Sequence, residues 1–122
     1  MPRLMLVTVA LALFLPDPMW AQAPGAAAAP KGNAENGKKI FEGDGCYQCH
    51  NFAANGGAAG PRLAPNPIAW AAFSRYVRAP RDQMPPFSRR ILPDQDLADI
   101  YAYLLTIPPP PAADSIPILK AP

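Results

Sequence analysis

Cysteine and histidine are scarce in this chain, whose 122 residues include two Cys and one His. A closed structural zinc site takes four such ligands, so a single copy of the chain cannot supply one. The net charge of +2 is far from the strongly basic balance expected of a nucleic-acid-binding domain. No apolar run approaches the roughly 20 residues that span a bilayer. The 18 prolines argue against an extended β-sheet, because Pro lacks the N–H that a strand ladder needs.

The first 23 residues have the order of a secretory signal peptide. Arg3 supplies an early positive charge, residues 4–15 read LMLVTVALALFL, and small residues follow at Ala21 and Ala23. The apolar run is unbroken, whereas a buried helix of a globular domain shows spaced apolar positions. We therefore expect an exported, periplasmic protein. Retention of the segment as a membrane anchor is the alternative, because Pro24 would hinder cleavage after Ala23.

The remaining chain divides into a linker, one small domain and a tail. Residues 24–31 are rich in Ala and Pro and predict a flexible linker. Residues 32–107 form the predicted domain, and residues 108–122 form a proline-rich tail that begins with four prolines. The apolar tail residues either fold back on the domain or stay loose; they are Ile116, Ile118 and Leu119. A third alternative is that the tail is a polyproline ligand for a partner.

The domain is expected to be all-α, because it has few of the β-branched residues that favour strands. A first helix is predicted over residues 34–42, with Asn33 as its N-cap. A second helix starts at Asn66-Pro67 and ends before Pro80. A third covers residues 93–107 and has the clearest amphipathic stripe, formed by Leu97, Ile100, Tyr101 and Leu104. About 75 residues are close to the lower limit for a self-sufficient hydrophobic core.

The segment Cys46-Tyr47-Gln48-Cys49-His50 is a C-x-x-C-H motif, which is typical of covalent haem attachment. The two-residue spacer lets both thiols reach the edge of one porphyrin and add to its vinyl groups. His50 then lies where its ring nitrogen can bind the iron. A disulfide would suit an exported protein, but it leaves His50 and the small core unexplained. A thioredoxin-like pair requires a βαβ setting that the sequence does not predict.

Met84 is the candidate for the second axial ligand of the iron. It is the only Met of the domain, and it lies in a loop stiffened by Pro85 and Pro86. A thioether is soft and neutral, so it favours reduced iron. Lys38, Lys39 or an open, water-bound site are the alternatives.

With these motifs in this order, residues 33–107 resemble the small class I cytochromes c, which carry a single haem. The sequence around Met84 is most similar to that of bacterial periplasmic cytochromes that accept electrons from dehydrogenases. The matching segments are residues 37–41 (GKKIF), 45–50 (GCYQCH), 60–63 (GPRL), 84–87 (MPPF) and 97–104 (LADIYAYL).

The resemblance implies a fold of three to four short helices wrapped around one haem c, bonded through Cys46 and Cys49. In the family the first and last helices cross near the haem, which implies that Gly37 and Phe41 meet Tyr101 or its neighbours. The family also implies a hydrogen bond between the Pro61 carbonyl and His50. Pro93 departs from the pattern, because Ser or Thr is the common cap there, and so does the proline-rich tail.

The implied function is outer-sphere electron transfer, with iron cycling between Fe(III) and Fe(II) and no substrate bond made or broken. The expected partners are a dehydrogenase as donor and an oxidase or another cytochrome as acceptor. The alternatives are a cytochrome subunit of a dehydrogenase complex, or a haem enzyme or sensor with an open distal site. Five arginines near Met84 form either a solvated basic face, a set of partners for haem propionates, or a docking site for an acidic partner; they are Arg75, Arg78, Arg81, Arg89 and Arg90.

Overall fold

The computed structural model describes residues 28–120, so the predicted signal peptide and most of the predicted linker lie outside the described residues. It contains four α-helices and two 3₁₀ turns and, within the described range, no strand, which confirms the all-α expectation. The helices are α1 (Ala34–Gly43), α2 (Cys46–His50), α3 (Trp70–Arg78) and α4 (Asp94–Thr106). The two turns lie in the tail, at Ala113–Ser115 and Pro117–Lys120.

Helix α1 begins as the sequence predicts. The Asn33 side-chain oxygen accepts hydrogen bonds from Glu35 N at 3.0 Å and from Asn36 N at 3.1 Å. These bonds satisfy two N–H groups that the helix itself leaves without partners. Asn33 therefore fixes where the chain turns into α1.

Helix α3 begins later than predicted, at Trp70 instead of Asn66-Pro67. Asn66 has a φ of 62°, in the left-handed region that Asn tolerates better than most residues. An N-cap residue normally has extended backbone angles, so this conformation prevents a helix from starting there. The predicted end is confirmed, because α3 stops at Arg78, ahead of Pro80.

Helix α4 provides half of the buried apolar residues in the described part of the chain. Pro93 precedes it without a side-chain cap, while Asp94 and Asp96 lie in its first turn, where negative charge is favourable. The helix also buries Asp99, which the amphipathic stripe did not include. The buried apolar residues of α4 are Leu97, Ala98, Ile100, Tyr101, Tyr103 and Leu104.

Helices α1 and α4 cross in direct backbone contact, as the resemblance implied. A Cβ atom at Gly37 would overlap the carbonyl oxygen of Asp99, so only Gly allows this approach. One turn further along α1, the ring of Phe41 lies 5.7 Å from the ring of Tyr103. The neighbours are therefore Asp99 and Tyr103, on either side of the expected Tyr101.

The described part of the tail lies mostly in solvent. The side chains of Ile118 and Leu119 are 82% and 62% exposed, whereas Ile116 is partly covered. The structure therefore favours a loose tail over one that folds back. No helix within residues 28–120 is both long enough and apolar enough to cross a membrane.

Candidate haem site

Helix α2 is a single turn that carries the whole C-x-x-C-H motif. Gly45 precedes it with a φ of 77°, which a residue with a Cβ rarely adopts. The turn places Cys46 and Cys49 on one short helix, and neither forms a disulfide. Burial raises the pKa of the Cys46 thiol to about 11, so the group is a neutral thiol at neutral pH.

His50 ends α2 and is buried, with 7% of its surface exposed. Its Nδ1 lies 2.8 Å from the Pro61 carbonyl oxygen, the contact that the resemblance implied. A carbonyl only accepts, so Nδ1 carries the proton and donates. In the neutral ring Nε2 then keeps a lone pair, which is what a metal ligand requires.

The loop after α2 folds back over the His50 ring. Gly56 N donates to the His50 carbonyl oxygen at 3.0 Å, which closes the chain around the end of α2. A Cβ at Gly60 would lie 2.9 Å from both Cys49 O and His50 Nδ1, closer than side chains normally pack. The absence of a side chain at Gly60 therefore lets Pro61 reach the imidazole.

Met84 lies in the loop between α3 and α4 and is half-buried. It packs against the same hydrophobic cluster as Cys46 and Tyr47. Just beyond it, Phe87 N donates to Val77 O at 3.0 Å and ties the loop to α3. Of the alternative ligands, both Lys38 and Lys39 are exposed on α1.

The donor chemistry of the site fits a covalently attached haem. Two thiols can form thioethers, and an imidazole with its Nδ1 proton engaged presents Nε2 to iron. Within the described residues, no three His, Cys, Asp or Glu side chains come together as a cage for a bare metal ion. The two thiols and the oriented imidazole are the groups that a covalently attached haem requires.

Comparisons with known proteins agree with this chemistry. A family model described as "Cytochrome C oxidase, cbb3-type, subunit III" matches residues 32–104. The chain is also 32% identical over 88 residues to a protein named Cytochrome c-555 from Methylococcus capsulatus, an alignment that covers 66% of this chain and 72% of that protein. No solved structure matches the chain.

The chain belongs to the small monohaem c-type cytochromes. Its prosthetic group is a covalent haem c, and Cys46 and Cys49 have the spacing for its attachment. As a haem protein of this family it carries electrons.

The five arginines that lie near Met84 in the sequence of the cytochrome differ in their bonding. Arg89 donates to Asp94 at 2.9 Å, and Arg78 donates to the other oxygen of the same carboxylate at 2.8 Å. These bonds, with the Arg89 bond the stronger influence, lower the pKa of Asp94. Three further arginines of this run are exposed and make no salt bridge within residues 28–120; they are Arg75, Arg81 and Arg90.

Sequence reasoning missed two largely buried charged side chains of the cytochrome. Arg78 was grouped with the surface arginines, yet its side chain is only 13% exposed. Its position directly after the buried Val77, at the end of an amphipathic helix, was an available signal. Asp99 lies inside the α4 stripe, and an acidic residue among apolar neighbours indicates a buried hydrogen-bond acceptor.

Proposed function

We propose that this cytochrome is a periplasmic electron carrier that takes electrons from a dehydrogenase and passes them to an oxidase or another cytochrome. Cys46 and Cys49 would hold its haem, and His50 and Met84 would be the side chains that bind the iron. The observation that carries the proposal is the buried His50 ring whose Nδ1 donates to Pro61 O at 2.8 Å. A residue fixed in this way presents one nitrogen in one direction, as a permanent ligand must.

The bound haem supplies reversible one-electron chemistry, and the residues around it set its properties. Donation from Nδ1 to a carbonyl leaves the opposite nitrogen of His50 free to bind the iron and fixes the ring plane. A Met84 thioether on the other side favours the reduced iron relative to a second imidazole. Two permanent ligands leave no position for a substrate, which separates a carrier from a haem enzyme or sensor.

The three arginines that make no salt bridge with any described residue support brief encounters with an acidic partner. Arg81 lies three residues before Met84, and Arg90 follows it by six. Interfaces of electron-transfer proteins are small and weak, and charge sets how fast the partners meet. We place the docking surface, defined by Arg75, Arg81 and Arg90, beside the Met84 loop.

The test is spectroscopic and uses the mature protein made with a functional haem-attachment system. The ferric protein is expected to show the far-red charge-transfer band of thioether-ligated haem, and the reduced protein is expected to resist carbon monoxide. Met84→Ala should lose the band and bind carbon monoxide, whereas Lys39→Ala should behave as the unsubstituted protein. Ready carbon monoxide binding by the unsubstituted protein would support the open-site alternative and refute the proposed ligation.

A second candidate is a cytochrome subunit of a larger oxidoreductase complex. The matching family model carries the description of an oxidase subunit, and this favours the alternative at the level of the family. The tagged full chain is isolated from the membranes and the periplasm of the cells that naturally make it. This experiment distinguishes a complex subunit from a free carrier. Recovery with stoichiometric partner subunits would replace the carrier proposal, and recovery as a single chain with unchanged haem spectra would support it.

A further inference from the structure

Arg78 joins three parts of the cytochrome through one guanidinium group. Its Nη1 donates to Phe87 O at 2.9 Å and to Leu92 O at 2.7 Å. Its Nη2 donates to Asp94 Oδ1 at 2.8 Å. The side chain starts at the last residue of α3 and thereby reaches both the loop that contains Met84 and the first residue of α4.

The carbonyl groups of Phe87 and Leu92 indicate what Arg78 holds in place. Phe87 lies three residues after Met84, and its own N–H is bonded to Val77 O, so both backbone polar groups of Phe87 are held. Leu92 is buried, with 2% of its surface exposed, and marks where the loop returns to the core. Fixing these two points limits how far residues between α3 and α4 can move.

The ion pair with Asp94 contributes less to this arrangement. Asp94 is 61% exposed and shares its carboxylate with the exposed Arg89. Exposed ion pairs contribute little to stability, whereas hydrogen bonds from a buried charged donor to carbonyl groups contribute more.

The need to fill space in the core does not explain why residue 78 is an arginine. The Nε atom of Arg78 is buried and has no hydrogen-bond partner within the described residues. Burial of a guanidinium with an unpaired N–H costs stability. An apolar side chain would fill the same volume without that cost, but it could not bond two carbonyl groups.

We propose that Arg78 is a positioning residue that keeps the Met84 sulfur on the haem iron by anchoring the loop at Phe87 and Leu92. The proposal rests on the proposed ligation by Met84. It also explains why Arg78 is not part of the docking surface, because its side chain is only 13% exposed. A Lys cannot take over this role, since its ammonium lacks the planar fork that reaches several fixed acceptors at once.

The test compares Arg78→Lys with Asp94→Asn in the holoprotein. Arg78→Lys keeps the charge but loses the fork, and Asp94→Asn keeps both carbonyl bonds. In Arg78→Lys we expect the pH at which the ferric charge-transfer band disappears to be about one unit lower than in the unsubstituted protein. This shift corresponds to a roughly tenfold larger population of the state in which Met84 has left the iron. The reduced variant should also bind carbon monoxide. Asp94→Asn should shift the same transition by no more than about 0.3 unit.

A second readout separates positioning from general stability. In Arg78→Lys the band should disappear on heating while the helical circular dichroism is still unchanged. Simultaneous loss of band and helix, or equal shifts in both variants, would overturn the proposal. An unsubstituted protein that lacks the band would refute Met84 ligation itself, and the role of Arg78 in it, whereas an intact band in Arg78→Lys would refute only the role of Arg78.

A measurement on the unsubstituted protein covers the case in which Arg78→Lys does not mature. Nitrogen-15 NMR of the reduced cytochrome should resolve the Arg78 Nη protons, because three hydrogen bonds slow both rotation and exchange. The exposed Arg90 provides the internal control and should show averaged, fast-exchanging signals. Equally averaged signals from Arg78 would overturn the proposal.

Discussion

The Nδ1 atom of His50 lies 2.8 Å from the carbonyl oxygen of Pro61, and Gly60 makes this distance possible. In Gly60→Ala, the new Cβ would press against the imidazole and Cys49 O, so the loop must move and the bond to Pro61 lengthens. Overpacking of this kind costs about 1–3 kcal/mol. We expect denaturant unfolding of the holoprotein to show this loss, together with an altered haem spectrum.

Gly57 provides the matched control for this substitution. A Cβ at Gly57 would meet Cys49 O at 3.6 Å, which is an ordinary contact in the same loop. Gly57→Ala should therefore leave spectrum and stability unchanged. If Gly60→Ala and Gly57→Ala have equal effects, the substitutions disturb the loop in general and not the close contact between Gly60 and His50.

The crossing of α1 and α4 gives a second prediction. A methyl group at Gly37 would overlap backbone atoms of Asp99 and Ile100, and backbone cannot turn aside as a side chain can. Gly37→Ala is therefore expected to destabilise the domain by about 3 kcal/mol, measured by thermal unfolding.

Gly43 lies at the other end of the same helix, and a Cβ there would have no neighbour within 4 Å. Gly43→Ala should be neutral or stabilising by up to about 1 kcal/mol, because Ala favours helix. A mild effect at Gly37, similar to that at Gly43, would contradict the close crossing.

Local patterns in the sequence were sufficient to locate much of this fold. Asn33 caps α1 through bonds to residues two and three positions away, so its role is visible in the sequence itself. The predicted start of α3 was wrong because Asn66 has a left-handed backbone, which the Asn-Pro pattern does not reveal. The role of Arg78 could not be predicted because its acceptors lie 9 and 14 residues away in a loop without periodicity.

Asp99 gives a prediction about acid stability. Burial by itself raises the pKa of this carboxyl, but hydrogen bonds from Asn36 Nδ2, Asn33 N and Gln95 Nε2 together lower it below its ordinary value. A carboxylate with a lowered pKa stabilises the fold above the pKa of the unfolded chain, about 3.9. The stabilisation is lost as the pH falls through the folded-state value.

Asp99→Asn should remove this acid-dependent part of the stability. At neutral pH the variant is expected to be less stable by about 1–3 kcal/mol, because its amide NH₂ group would face donors. Its stability should also change less than that of the unsubstituted protein between neutral pH and pH about 3. The free energy of unfolding is measured by urea titration at each pH. If it depends on pH in the same way in both proteins, Asp99 is not the source of the acid-dependent stability.

Removal of residues 112–122 tests the loose tail. Pro108 and Pro110 line a groove with Ala64 and Pro65, so the cut is placed beyond them. Since Ile118 and Leu119 are mostly exposed, we expect the melting temperature to change by less than about 2 °C. A larger fall would show that the tail packs on the domain.

The docking surface gives the last prediction, for which Arg90 is the best position. Charge reversal at Arg89 would also break its bond to Asp94, whereas Arg90 has no salt bridge within the described residues and is exposed. Arg90→Glu should slow second-order electron transfer with an acidic redox partner at low salt and flatten its dependence on ionic strength, because attraction during encounter is reduced.

Lys120→Glu makes the same change of net charge in the exposed tail and serves as the control. Stopped-flow rates measured across a salt series should separate the two variants. At high salt all three proteins should react at similar rates, since screening removes the steering but leaves the haem site intact. If Arg90→Glu and Lys120→Glu slow the reaction equally, total charge and not a surface beside Met84 governs the encounter.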